Sequence, residues 1–152
     1  MLRSNKFYGP IQSSTTVWSQ FPKLRIIGLS NNNFNGQLHQ KYFQTWNSMK
    51  SVYDVESIES FTSTKPYTMT IIHKASRTEH QHILNIFTAI DLSCNHFEGE
   101  IPLSLKDLRG LQALDLSNNH LTGGVLPSLG YLKNLVALDL SRNNLSGEIP
   151  QC

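Results

Sequence analysis

A ten-residue phrase recurs in this sequence on a fixed period. IDLSCNHFEG starts at Ile90, LDLSNNHLTG at Leu114 and LDLSRNNLSG at Leu138. The starts are 24 residues apart, since 114 − 90 = 24 and 138 − 114 = 24. Two shorter copies, LRSNKFYG from Leu2 and LSNNNFNG from Leu29, share the register. A period of this length predicts a solenoid, in which each repeat forms one coil that contacts only its neighbours.

The positions of the phrase have distinct physical roles. Apolar residues alternate with polar ones, as in Ile90 and Leu92, and this period of two predicts a short strand with one buried face in every coil. An asparagine follows each strand, and its amide can bond the backbone of its own coil and of the neighbouring one. This asparagine ladder comprises Asn5, Asn32, Asn95, Asn119 and Asn143. Asn118 precedes a ladder position and is expected to be replaceable at little cost. A glycine four residues after each ladder asparagine is expected to bend the backbone.

Together these features predict a leucine-rich-repeat solenoid, an α/β repeat fold with a short parallel β-sheet on its concave face. One coil contains an insertion, because Leu29 and Leu92 are 63 residues apart, which is 24 + 39. We therefore expect two coils in residues 1–42, an inserted island in 43–81, and three coils, the last incomplete, in 82–152. Within the island, KYFQTWNSMKSV has the spacing of a short amphipathic helix, and YTMTIIH alternates as a strand does.

The extended repeat, with GEIP at Gly99–Pro102 and again at Gly147–Pro150, is similar to the 24-residue plant extracellular class of leucine-rich repeats. KYFQTWNSMK, YTMTIIHKA and ILNIFTAIDLS resemble the island region of plant receptor-like proteins, which are cell-surface immune receptors without a kinase domain. The resemblance implies a non-enzymatic module that recognises a peptide or protein ligand and engages a co-receptor or adaptor receptor kinase. It implies the extracellular side of the plasma membrane for a full-length parent.

Three alternatives stay open from the sequence. The chain is also compatible with part of a leucine-rich-repeat receptor kinase ectodomain, which a downstream kinase reading frame would reveal. The chain could also be a secreted inhibitor of cell-wall enzymes built on the same repeat, although such inhibitors lack an island. A truncated gene product would have no function of its own.

The candidate binding surface is the concave face, where acidic and hydroxyl side chains repeat from coil to coil. Its residues are Asp91, Ser93, Asp115, Ser117, Asp139 and Ser141. The simpler interpretation is that Asp-Leu-Ser is the default filling of this repeat. No second element of a catalytic constellation accompanies these carboxylates, so we predict no catalytic residues.

The island supplies a second set of candidate contacts, since aromatic faces and a cation suit protein recognition. These residues are Phe43, Trp46, Tyr53, Tyr67 and Lys74, and packing of the aromatic rings against the coils is the alternative. Asn144-Leu145-Ser146 is an N-x-[ST] sequon, which predicts a glycosylation site at Asn144 in a secreted protein. His96 and His120 share a register, and we interpret them as exposed spacers rather than as a metal pair or pH sensor.

Composition excludes several classes of function. The formal net charge is only +2, which gives no reason to expect nucleic acid as a partner. No stretch reaches the roughly 20 apolar residues of a transmembrane helix, and the N-terminal residues lack the apolar run of a signal peptide. The two cysteines, Cys94 and Cys152, are too far apart in the coil register to form a bridge, and no cofactor or metal is predicted.

Overall fold

The computed structural model describes residues 1–11, 21, 23–52, 69–73, 76–80 and 87–151. The chain divides into two compact units, one formed by Met1–Val52 with Thr88–Cys152 and the other by Tyr53–Phe87. The first unit is the solenoid. The second begins ten residues after the start that the sequence assigns to the island, and the reason lies in the packing of residues 43–50.

The described elements are mostly strands of three to five residues. In chain order the strands are β1 (Tyr8–Pro10), β2 (Ile26–Gly28), β3 (Asn33–Gln37), β4 (Met69–His73), β5 (Ser76–His80), β6 (Ala89–Asp91), β7 (His96–Glu100), β8 (Ala113–Asp115), β9 (His120–Thr122) and β10 (Ala137–Asp139). The helices are α1 (Gln40–Gln44), α2 (Asn47–Lys50) and two 3₁₀ helices, Leu103–Asp107 and Pro127–Tyr131.

The concave sheet has the strand order β2–β6–β8–β10, with all neighbours parallel. Its register aligns Ile27, Ile90, Leu114 and Leu138, so the repeat phrase stacks on itself coil by coil. Ile27, Ile90 and Leu114 are buried on the inner side of the strands, whereas Leu138 in the last coil is 42 % exposed. The predicted fold is confirmed.

A second parallel sheet, with the order β1–β3–β7–β9, follows the ladder asparagine in four of the coils, at Asn5, Asn32, Asn95 and Asn119. The sequence interpretation missed it, because the glycine at its centre was expected to mark a bend. Gly36 and Gly99 instead lie inside β3 and β7 with φ of 78°. On its inner side Phe7, Phe34 and Phe97 form a stack with centroid separations of 6.1 and 6.3 Å.

Leucines of the repeat fill the space between the two sheets and the 3₁₀ helices. Leu105, Leu108, Leu111 and Leu116 are completely buried. Burying one such side chain contributes about 1.5–3 kcal/mol. Because each leucine contacts those of the next coil, the core is a continuous column.

Residues 40–50 pack into this column. The spacing predicted one helix, but two short helices form, separated at Thr45 and Trp46. Phe43, Trp46 and Met49 are 0–2 % exposed and belong to the solenoid core. Two hydrogen bonds attach the segment to the next coil, from Ser104 Oγ to the Gln40 carbonyl (3.0 Å) and from the Gly110 N–H to the Met49 carbonyl (2.8 Å). The start of the predicted island therefore completes the outer wall of a coil.

In the second unit, β4 and β5 form an antiparallel pair in which Ile71 is opposite Thr78. The strand predicted from YTMTIIH corresponds to β4. Its polar partner, SRTEH, carries no alternation that would have identified it as a strand.

Candidate functional site: the concave sheet

The carboxylates of the concave face are held by the serines two residues later. Asp115 Oδ1 accepts hydrogen bonds from the Ser117 N–H (3.0 Å) and hydroxyl (2.7 Å). Asp91 Oδ1 accepts the same pair from Ser93, at 3.2 and 2.7 Å. In the last coil the Ser141 N–H donates to Asp139 Oδ1 at 2.9 Å. The candidate surface is thus a row of ordered carboxylates, each of which also closes a turn of its own coil.

Stacking these carboxylates on neighbouring coils affects their protonation. Burial raises the pKa of Asp115 above its ordinary value, the two hydrogen bonds from Ser117 oppose this, and the charges of Asp91 and Asp139 raise it further. Asp115 is the middle member of the row and has a like charge on both sides. The row therefore favours a ligand that brings positive charge to it.

Arg3 lies in the first coil, at the end of the concave face away from Asp139, where no aspartate continues the row. Its Nε donates to Ser30 Oγ (2.8 Å), and the Ser30 hydroxyl donates to Asp91 Oδ2 (2.8 Å). Arg3 Nε also lies 3.4 Å from Asp91 Oδ2. The coil between them has Gly28 in the aspartate register, and a Cβ there would meet Met1 Sδ at 2.7 Å and the Arg3 side chain at 3.4 Å. The missing side chain gives Arg3 room to reach Asp91.

Sequence reasoning missed Arg3, although aligning Leu2 with Leu29 and Leu92 places Arg3 and Ser30 in the register of Ser93. The structure shows the consequence of that alignment. Asp91 therefore has a cation from two coils away as a partner.

The asparagine ladder holds these coils in register. Asn119 is 5 % exposed, and its Nδ2 lies 3.0–3.1 Å from the carbonyl oxygens of Leu92, Leu116 and Ser117. Its Oδ1 accepts from the Phe97 N–H at 3.0 Å. Asn32, Asn95 and Asn143 make the corresponding four contacts in their coils. Asn5 is exposed, and its Nδ2 donates to the carbonyls of Leu2 and Arg3 within its own coil.

The residue before each ladder asparagine has left-handed backbone geometry, with φ between 52° and 57°. These residues are Ser4, Asn31, Cys94, Asn118 and Arg142. Alanine is strained at positive φ. The structure therefore contradicts the reasoning by which Asn118→Ala would cost little stability. The repeated asparagine at this position, a residue that tolerates the left-handed region, was the available signal.

The comparisons with known proteins agree with this geometry. A family model described as "Leucine rich repeat" matches residues 87–145, which cover the ladder positions of the last three coils. The chain is 44 % identical over 116 residues to Receptor-like protein 53 of Arabidopsis thaliana, a match that covers 73 % of the chain.

The chain is a leucine-rich-repeat protein related to plant receptor-like proteins. It spans 12 % of the length of Receptor-like protein 53 and of Receptor-like protein 34, two of the curated relatives that it matches.

Solved leucine-rich-repeat structures show the same fold. The plant peptide hormone receptor RGFR1, in complex with RGF2, superposes with a TM-score of 0.64 at 27 % identity, over 99 % of this chain and 17 % of that one. The Arabidopsis receptor kinase HAESA, in complex with the peptide hormone IDA and the co-receptor SERK1, gives 0.54 at 29 % identity, over 98 % and 22 %. In the described part of this leucine-rich-repeat chain, no helix has the length and apolarity that a bilayer crossing requires.

The remaining candidate residues of this leucine-rich-repeat chain fall into three groups. Phe43 and Trp46 are buried among core residues, so in this conformation neither ring is available to a partner. Tyr53, Tyr67 and Lys74 lie outside the residues whose side chains the structure describes. Asn144 is exposed in a turn fixed by bonds from its N–H to the Leu121 carbonyl and from the Ser146 N–H to the Gly123 carbonyl, both 2.8 Å.

Proposed function

We propose that this chain forms part of the extracellular recognition surface of a plant receptor-like protein at the plasma membrane. The observation that carries the proposal is the 44 % sequence identity to Receptor-like protein 53, over a match that covers 73 % of the chain. The structure adds a rigid, ladder-stabilised concave sheet whose outward positions are polar. Such a surface suits a protein or peptide ligand, because its contacts are spread over several coils.

The acidic row indicates which chemistry a binding partner would have. Asp115 and Asp139 stand on neighbouring coils, and the serines that follow them fix their carboxylates in place. Ordered charges steer and orient a complementary partner, and they affect specificity and association rate more than raw affinity. A ligand or a co-receptor kinase with a basic contact region fits this row. The role is binding, and we assign no catalytic step to it.

The test uses a chimera in which this chain replaces the matching coils of full-length Receptor-like protein 53. The tagged chimera is purified from plant plasma membranes, and associated receptor kinases are quantified by mass spectrometry. Asp115→Asn with Asp139→Asn removes two charges and keeps an oxygen acceptor at each position, so the coil turns should persist. Asp107→Asn is the matched control, because Asp107 is exposed on the first 3₁₀ helix, away from the concave sheet.

We expect the double variant to recover less receptor kinase than the parent chimera and the control to recover the parent amount. Equal recovery in all three would contradict a role for the concave acidic row. A chimera that reaches the plasma membrane and associates with no receptor kinase would contradict the proposed function itself.

A receptor kinase ectodomain is the second candidate, favoured by the superposition on the receptor kinase HAESA at 29 % identity. The higher identity to receptor-like proteins makes it the weaker of the two. Sequencing the transcript beyond both ends of the chain separates them, because only a receptor kinase carries a kinase reading frame downstream of its transmembrane helix.

A further inference from the structure

Two imidazole side chains lie side by side on the second sheet, away from the concave face. His96 begins β7 and His120 begins β9, and these strands pair in parallel. His96 Nδ1 is 3.3 Å from His120 Nε2, the ring centroids are 5.5 Å apart, and the ring planes are inclined by 16°. Both side chains are exposed, so the core does not force the two rings together.

The two nitrogens lie at hydrogen-bond distance, and the same separation fits two ligands of one shared metal ion. Zinc–imidazole bonds of about 2.0–2.1 Å in tetrahedral geometry place two ligand nitrogens roughly 3.3–3.4 Å apart. Because both side chains are exposed, the rings can rotate to direct both lone pairs at one ion. The stacked coils fix the spacing, because the two histidines are exactly one repeat apart in sequence, 120 − 96 = 24.

One carboxylate occupies a register position beside the pair. Glu98 is exposed on the same face of β7, and its Cα partner across the sheet is His120. Among the residues whose side chains the structure describes, no third His, Cys, Asp or Glu completes a ligand set. Water molecules would then occupy the remaining coordination positions.

The fold does not require imidazole at this position. Other coils have Lys6, Asn33 and Asn144 in the same register, and all three are exposed. The ladder asparagines and the buried leucines of these coils are the same with or without histidine beside them. The histidine pair can therefore be replaced by asparagine without loss of a structural contact in the core.

We propose that His96 and His120 form a binding site for a divalent transition metal ion of the kind that prefers imidazole, namely Zn²⁺, Cu²⁺ or Ni²⁺. The site is independent of the proposed recognition function, since it uses neither the concave row nor the island. Bound metal would cross-link two neighbouring coils on the outside of the second sheet.

Isothermal titration of the full chain with ZnCl₂ at neutral pH tests the proposal. The starting protein carries Cys94→Asn and Cys152→Ser, so that free thiols do not bind zinc. Asparagine suits position 94, because Asn31 and Asn118 have the same left-handed backbone there. The variants are His96→Asn, His120→Asn and both together, and circular dichroism confirms that each is folded. His39→Asn is the matched control, because His39 is exposed but lies against Tyr42 in another coil.

We expect one zinc ion per chain and a higher melting temperature in its presence. Either single substitution should weaken binding by at least the roughly 10–100-fold that loss of an outer-shell partner costs. The double variant should lose the site, and His39→Asn should bind as the parent does. Unchanged affinity in the double variant, or no zinc binding by the parent, would overturn the proposal.

Discussion

Replacing Asn119 by alanine measures what the asparagine ladder contributes to stability. The side chain makes four hydrogen-bond contacts, of which three share the two protons of Nδ2, and its loss affects their partners unequally. The Leu92 carbonyl keeps a bond from Asn95 Nδ2 (3.2 Å), the Leu116 carbonyl keeps one from Asn143 Nδ2 (2.9 Å), and the Ser117 carbonyl keeps the Cys94 N–H (3.0 Å). The buried Phe97 N–H, which donates to Asn119 Oδ1, is therefore the group that is left without this hydrogen bond in the variant.

One buried donor without its acceptor costs about 1–3 kcal/mol. For a domain of this size, each kcal/mol lowers the melting temperature by roughly 2–4 °C. We expect Asn119→Ala to lower the free energy of unfolding by an amount in that range, measured by urea denaturation followed by circular dichroism. Asn119→Asp should cost at least as much, because a carboxylate oxygen would replace Nδ2 against the carbonyl oxygens of Leu92, Leu116 and Ser117 at a buried site.

The controls are two substitutions of the preceding residue. Asn118→Gly should leave stability almost unchanged, because glycine adopts the left-handed backbone freely and the Asn118 side chain is exposed. Asn118→Ala should cost about 1 kcal/mol through backbone strain alone. If Asn118→Gly destabilises the chain as much as Asn119→Ala, the ladder register argued from the structure is refuted.

Three further predictions concern other parts of the solenoid. Gly110→Ala should lower the free energy of unfolding by about 1–3 kcal/mol. The added Cβ would overlap the Ser51 carbonyl oxygen and would lie 3.0 Å from the Met49 carbonyl oxygen. Urea denaturation should show a smaller loss for Gly124→Ala, where the atom nearest to the added Cβ is 3.6 Å away. Asp115→Asn should raise the melting temperature at pH 7, because the pKa of Asp115 is raised in the folded state and its ionised form opposes folding. That gain should shrink as the pH falls towards the ordinary aspartate value of 3.8, and a pH-independent gain would show that ionisation is not its cause. Replacing residues 53–86 by a glycine-serine linker should leave a folded solenoid with a cooperative thermal melt, whereas deleting residues 43–81 should not. Equal melting behaviour of the two variants would contradict the assignment of α1 and α2 to the core.

The repeat period was sufficient to predict the solenoid, its concave strands and the asparagine positions, because those features depend on spacing alone. Features that depend on the contact between coils were not predictable in the same way. The three-residue spacing of Phe43, Trp46 and Met49 indicated a helix, but the sequence did not show which surface would bury it. One trace of that contact was available, since Gly110 occupies the register of Asn134, where a side chain would have met the incoming backbone.

The candidate site was predicted in part for a similar reason. The register identified Asp115 and Asp139 as neighbours on one face, and the structure places them there. It could not show that Arg3 reaches across Gly28 to Asp91, because that ion pair depends on the length and direction of one side chain. The left-handed backbone at Asn118 also went unnoticed, since no single copy of the repeat has glycine at that position.

The most direct test of the recognition surface is carboxyl-group footprinting of the chimera with Receptor-like protein 53. The complex purified from plant membranes and the isolated ectodomain are labelled with a carbodiimide and glycine ethyl ester, and mass spectrometry measures the labelling of each carboxylate. We predict that labelling of Asp139 falls in the complex while labelling of Asp107 on the outer wall is unchanged. Protection of Asp107 with Asp139 fully labelled would contradict the account, because the partner would then bind the outer wall and leave the concave sheet free.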